Sequence, residues 1–296
     1  MRTPLLIAAT FGAAAAATAT SSFVIFGSAA PAGTGALLAR SLLLSFGVGA
    51  FLGAALTRAF RRTSRLRLGA LYAALLGYVV NAFASSFSGV GGLPFDPAQM
   101  VFALMNHISL GALTGLAAWA LLRLEPSASS PSPDAKARLL ITALFASTAL
   151  LICLTFVLPW EASGFVPTWR TPATAAAITT LPAALLAAAS SAALTGYLFR
   201  AASTRFGFLY VLLFGFYTVH AARTLGGALL GFYVDQRTTD LIMSAPPLTP
   251  GRASASFYAV TTGGGEAWRT WALPTLSVLA SALAWLYLRA RARPLD

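Results

Sequence analysis

Long apolar stretches alternate with short polar breaks along almost the whole chain. Several stretches run to about 18 residues or more, enough to cross about 30 Å of hydrocarbon as a helix. Cutting the chain at the breaks predicts eight transmembrane helices, at about 4–26, 37–58, 67–86, 99–123, 138–158, 176–200, 206–232 and 268–290. The breaks carry turn chemistry: Pro31 to Gly35, then Gly89, Gly91, Gly92, Pro94 and Pro97, and in the longest loop, 233–266, Pro246, Pro247, Pro250 and Gly263–Gly265. Arg2, the apolar run from Leu5 and the small residues around Ser28–Ala30 would also fit a cleaved signal peptide. The first stretch is kept as a span because its LLIAATF at 5–11 recurs as LLITALF at 139–145, mid-chain, where no signal peptide can lie.

The recurrence is general. LGALYAALLGYVVNAF at 68–83 lies over FGFLYVLLFGFYTVHA at 206–221, matching Gly69 with Gly207, Leu71 with Leu209, Tyr72 with Tyr210, Leu75 with Leu213 and Gly77 with Gly215. The second and sixth stretches end LTR (56–58) and LFR (198–200), and the fourth and eighth end AAWALLR (117–123) and LAWLYLR (283–289). Four matches in one order predict an all-α polytopic membrane protein: eight transmembrane helices as two tandem four-helix repeats. With an even number of spans per repeat, both repeats point the same way, a parallel arrangement about an axis along the membrane normal. Residues 1–124 form the first repeat and 138–296 the second, the latter with the long outer loop 233–266. Residues 125–137, EPSASSPSPDAKA, read as a Ser/Pro-rich cytoplasmic linker.

Composition sharpens the class. Of the 296 residues 57% are apolar and 9% charged, against about a quarter charged in soluble domains. The net charge of +12 would suggest nucleic acid on a soluble protein; here topology accounts for it, and no nucleic-acid partner is expected. With the N-terminus inside, the inner segments hold Arg2, Arg58, Arg61, Arg62, Arg65, Arg67, Arg123, Lys136, Arg138, Arg200, Arg205, Arg289, Arg291 and Arg293. The outer loops hold only Arg170, Arg237, Arg252 and Arg269. This is the positive-inside pattern, with both termini cytoplasmic. The Ala-, Gly- and Arg-rich alphabet with a single Lys fits a GC-rich genome, and the expected location is the bacterial inner membrane. The bilayer is the first partner, and Arg58, Arg61, Arg62, Arg65 and Arg67 are candidate contacts for anionic lipid. Cys153 stands alone and can staple nothing.

Candidate chemistry inside the spans is sparse. No Asp or Glu lies in a predicted span, which argues against a carboxylate proton or sodium relay. The polar residues there are Asn81, Asn106, His107, His220, Arg223 and, near the start of the second span, Arg40. At about 1.5 Å per residue they gather in the outer third, and His220 and Arg223 share a helix face. Together they read as a tentative ligand site for an anionic group; as packing residues and snorkelling arginines they would have no site role. His107 and His220 alone are too few for a metal site, and haem b between them is not expected, so no cofactor is assigned. No nucleophile elbow, HExxH or phosphate loop occurs, so catalysis is not expected.

The leading functional expectation is a transporter or permease-type subunit for an anionic or amphipathic solute, partnered by other membrane subunits or a cytoplasmic ATPase. The alternative is a non-catalytic structural or assembly subunit of a membrane complex. The long outer loop is a candidate lid over the polar third.

Overall fold

A computed structural model describes residues 2–26, 34–63, 66–86, 97–125, 133–162, 172–244 and 267–292. Among these the chain is all helical, without strands. The helices are α1 (Arg2–Phe26), α2 (Thr34–Ala55), α3 (Thr57–Thr63), α4 (Gly69–Ser86), α5 (Pro97–Arg123), α6 (Ala135–Ala162), α7 (Pro172–Ala202), α8 (Gly207–Ser244) and α9 (Ala267–Ala292). Alanine and leucine, the strongest helix formers, dominate them. Pro97 and Pro172 open α5 and α7, where a missing N–H costs nothing. Asp134 caps α6, its Oδ1 accepting the Ala137 N–H at 2.7 Å.

Six helices among the described residues are long and apolar enough to cross a membrane: α1, α4, α6, α7, α8 and α9. The pair α2–α3, bent by 53°, makes a seventh if it is one broken span, and α5 contributes the shorter described apolar stretch Ile108–Arg123. The large exposed side chains are apolar and form stripes: Leu71, Leu75, Val79 and Phe83 on α4; Leu43, Leu44, Phe46 and Phe51 on α2; Leu279, Leu283 and Leu286 on α9. The buried positions are largely alanine, with glycine, serine and threonine. This is the distribution that suits helices packed closely in lipid, where small residues let backbones approach. It is tightest between α4 and α5: a Cβ on Gly77 would lie 2.5 Å from the Gly111 carbonyl oxygen.

Among the first four long helices, α1 packs on α2, α4 and α5, α2 on α4, and α4 on α5. Among the last four, α6 packs on α7, α8 and α9, α7 on α8 and on α9, and α8 on α9. The two groups meet where α8 crosses to α1 and α5. Accordingly the apolar spans of α1 and α8 are 61% and 56% buried, against 39% or less for the other four. Tyr217 on α8 donates to the Thr10 carbonyl on α1 at 2.9 Å, and Thr3 on α1 meets the Tyr197 hydroxyl on α7 at 2.9 Å.

Two turns precede α4 and α8 with one hydrogen-bond pattern. In the first, Leu66 N bonds Thr63 O, Gly69 N bonds Leu66 O and Tyr72 N bonds Leu68 O; in the second, Thr204 N bonds Ala201 O, Gly207 N bonds Thr204 O and Tyr210 N bonds Phe206 O. A Cβ on Gly69 would collide with the Thr63 carbonyl oxygen and one on Gly207 with that of Ala201, so both turns demand glycine at the same place.

Several helix ends depart from the sequence expectation. The basic segment after the second stretch is itself partly helical, as α3. The bend before it follows the Thr57 hydroxyl, which bonds the Gly53 carbonyl at 3.0 Å, the back-bonding that bends helices. Helix α6 starts at Ala135, inside the segment expected to be linker; residues 126–132 lie outside the described ones. The largest difference is α8, whose 38 residues run to Ser244, well into the segment expected to be loop. Hydropathy falls at Asp235, Gln236 and Arg237, but no Gly or Pro interrupts the backbone there. Polarity marks where a helix leaves an apolar medium; it does not end hydrogen bonding. Of the loop 233–266 expected as a lid, residues 233–244 are the end of α8, and 245–266 lie outside the described residues.

Candidate functional site

The central position of α8 places His220 in the interior, 5% exposed. Its Nε2 lies 3.0 Å from the Ser109 hydroxyl on α5. Its Nδ1 is buried without a hydrogen-bond partner among the described residues. One turn on, Thr224 donates to the His220 carbonyl at 2.9 Å. Arg223, three residues after His220 and therefore on the same face, sits half-buried within electrostatic reach of both His220 and Cys153. Cys153 is buried on α6 against Ala149, Ala183, Ala187 and Ala222. On α8, His220 thus meets a serine hydroxyl of α5, while Arg223 lies near Cys153 of α6. A guanidinium in such surroundings attracts anions far more strongly than in water, because the local dielectric is low.

The remaining residues of the expected ligand site are placed differently. Asn81 is fully buried on α4 and donates from Nδ2 to the Thr18 hydroxyl on α1 at 3.0 Å; Thr18 in turn donates to the Ala14 carbonyl at 2.8 Å. Asn81 therefore ties α4 to α1, and its Oδ1 has no donor among the described residues. Arg40 is exposed on α2, a helix that packs on α1, α3 and α4. The side chains of Asn106 and His107 lie outside the described residues; position 107 is on α5, two residues before Ser109 and about 200° around the axis from it at 3.6 residues per turn. Ser109 is the contact that sequence reasoning missed. A serine in an apolar span ordinarily bonds its own helix, so only the height shared with His220 hinted at a role.

The second concentration of polar groups is at the end of the bundle where α3, the end of α5 and the starts of α4, α6 and α8 meet. Arg58, Arg61, Arg62 and Arg67 are exposed there; Arg65 lies outside the described residues. Arg61 pairs with Glu125 at 3.3 Å, both side chains about half exposed (51% and 42%). Arg200 donates to the Glu125 backbone carbonyl, so Glu125 bridges α3 and α7. Arg291 pairs with Asp134. The Ala137 N–H, and then the Arg291 guanidinium, hold the Asp134 carboxyl below the usual carboxylate range. Arg123 stacks over Trp119 at 4.8 Å and Arg289 over Trp285 at 4.9 Å. No three His, Cys, Asp or Glu side chains cluster as a metal site would need, among the described residues.

Comparison with known proteins finds no matching family, no matching curated protein and no matching solved structure.

Proposed function

We propose that the chain is a multi-pass membrane protein of eight spans in two tandem parallel halves, acting as a transporter or permease-type subunit for an anionic or amphipathic solute. The eight spans are α1, the broken α2–α3, α4, α5, α6, α7, α8 and α9. Three pairings support the duplication: the turns at 63–69 and 201–207, the close packing of Gly77 on α5 and of Gly215 on α9 through Ser281, and the Trp119–Arg123 and Trp285–Arg289 stacks. The observation that carries the transport reading is the position of His220 and Arg223 on α8, where that helix leaves its own half and packs on the other at Ser109. Parallel halves that rock against each other place their substrate site at such a seam, and a guanidinium beside hydrogen-bonding groups suits an anion. The basic end faces the cytoplasm of a bacterial inner membrane in this reading, and an ATPase or other membrane subunits would dock there.

The test is thermal stability of the purified full-length chain against chloride, sulfate, phosphate, short carboxylates and lysophospholipids. One class is expected to raise the unfolding midpoint, with the rise lost in Arg223→Gln and reduced in His220→Ala. A flat response of the unmodified chain across the whole panel would sink the reading. The second reading, a structural or assembly subunit, is favoured by one observation: the backbone contact of Gly77 with Gly111 and Gly115 leaves α4 and α5 little freedom to separate. Co-purification with a fixed partner, together with a flat ligand panel, would select it.

A further inference from the structure

We propose that the junction of α1, α2 and α4 is a buried water-binding site, built by the Asn81 amide oxygen and the hydroxyls of Ser41 and Ser45. All three residues are buried, Asn81 and Ser45 completely. Asn81 Oδ1, Ser41 Oγ and Ser45 Oγ have no hydrogen-bond partner among the described residues. The Thr18 hydroxyl gives its proton to the Ala14 carbonyl, so toward Asn81 it can only accept. The amide must then present Nδ2 to Thr18 and turn Oδ1 away from it. Thr10, Thr148, Ser191 and Thr195 donate their hydroxyl protons to a carbonyl of their own helix. Ser41 and Ser45 do not, and their protons stay available to the junction.

Packing sets the three groups at neighbouring heights. A Cβ on Gly49 would lie 2.8 Å from the Ala15 Cβ, and one on Gly53 2.9 Å from the Phe11 ring, so α1 and α2 run antiparallel in that register. One turn from Gly49, Ser45 therefore stands level with Thr18 and Ala19, and so with Asn81, which is bonded to Thr18. Ser41, Ser45, Gly49 and Gly53 form the buried edge of α2, a helix that packs on both α1 and α4. Under the proposed duplication Ser41 and Ser45 correspond to Ala183 and Ala187, and Ala19 and Ala84 to Cys153 and Ala222. Those four residues of the second half belong to one cluster. In the first half, then, the two serines face Ala19 and Ala84, with Asn81 one turn before Ala84. Side chains four residues apart on a helix are about 5–6 Å apart, twice the roughly 2.8 Å of an O–H···O bond. One water fits between the two hydroxyls. It accepts from one serine and donates to the other and to Asn81 Oδ1, the three bonds typical of a buried water.

The corresponding junction of the second half, Ala149, Cys153, Ala183, Ala187 and Ala222, offers neither a hydroxyl nor an amide. Ser281 on α9 is also unpaired among the described residues, but it stands against Gly215 and shares that place with the Phe145 ring, so it serves as the dry reference. The assignment rests on the proposed duplication for part of its register and not on transport. The ligand panel reads Arg223 and His220 and the tests below read Asn81 and the serines, so either reading can fail alone.

Asparagine occurs only at positions 81 and 106, so isotope-labelled asparagine in the full-length chain resolves the Asn81 side-chain amide by magnetic resonance, with Asn106→Gln for assignment. That amide is expected to show a through-space contact to water, lost when Ser41→Ala and Ser45→Ala are combined. Each single alanine variant is expected to lower the unfolding midpoint in detergent by roughly 2–4 °C, because the water loses a partner, whereas Ser281→Ala leaves the midpoint unchanged or raises it. The midpoint of the unmodified chain is expected to be the same in sodium, potassium and choline chloride at one ionic strength. Four results would each overturn the proposal. They are no water contact at Asn81, a contact that survives loss of both serines, an unchanged or raised midpoint in either single variant (the mark of a hydroxyl buried unpaired), and a midpoint raised by sodium or potassium over choline, which would make the occupant a cation.

Discussion

The segment from Arg58 to Gly69 and the segment from Arg200 to Gly207 do the same job at two places, and they do it differently. Both end in the same hydrogen-bonded turn, closed by a glycine against a carbonyl six residues earlier. The first is longer by about one helical turn. That extra turn is most of α3. It bends away from α2 by 53° and buries Phe60 against Phe11, ring centroids 5.3 Å apart. It also carries Arg61 to Glu125. In the second segment α7 continues unbroken to Ala202 and Arg200 reaches the Glu125 carbonyl directly. The turn is set by backbone geometry that any sequence with glycine in that place can meet. The inserted turn is an addition on top of it, held by one aromatic wedge.

The comparison breaks most severely at that wedge. Phe60→Ala removes a fully buried ring and is expected to cost about 3 kcal/mol, read as a fall in the unfolding midpoint in detergent or SDS. A loss below about 1 kcal/mol would mean that α3 is held by something other than Phe60. Next come the turns themselves. Gly69→Ala and Gly207→Ala both force a Cβ onto a backbone carbonyl oxygen, Thr63 and Ala201 respectively, with the deeper overlap at Gly69. Each is expected to cost roughly 1–3 kcal/mol, the range for overpacking, with Gly69→Ala the worse. Negligible losses at both positions would show that neither turn requires glycine. The smallest effect belongs to the exposed pair at the start of α6. The folded Asp134 carboxyl is held below its ordinary range by the Ala137 N–H and then by Arg291. Its contribution is therefore fully present above that range and disappears as pH falls through the lowered value. A slight stability loss confined to strongly acid pH is expected, absent in Asp134→Asn; a loss of the same size near neutrality would contradict it.

What was legible beforehand was whatever is local. The segmentation into apolar helices follows from stretch length and hydropathy, and most element boundaries fall within a few residues of the expected ones. The paired glycines Gly69 and Gly207 stood out because a close approach needs glycine wherever the fold repeats it. The gathering of arginines at one end of the helices likewise follows from their positions along the chain. Helix ends were less legible. Hydropathy placed the end of α8 near residue 232, yet the helix continues to Ser244, with no Gly or Pro from 233 to 244 to break its backbone hydrogen bonding.

Contacts between helices were decided only in three dimensions. His220 and Asn81 were visible as polar residues at similar heights, with Arg223 closer to the surface. Height does not say which way a helix is rotated or which neighbour it meets, and one residue shifts a side chain by about 100° around the axis. Tertiary packing alone set Asn81 against Thr18 on α1 and His220 against Ser109 on α5. It also made α1 and α8 the central pair rather than any other two spans. Sequence, through local hydropathy and charge, determined that the chain is a set of apolar helices with one basic end. The packing of small residues, which lets particular backbones come close, determined which of those helices meet and so which polar groups can act together.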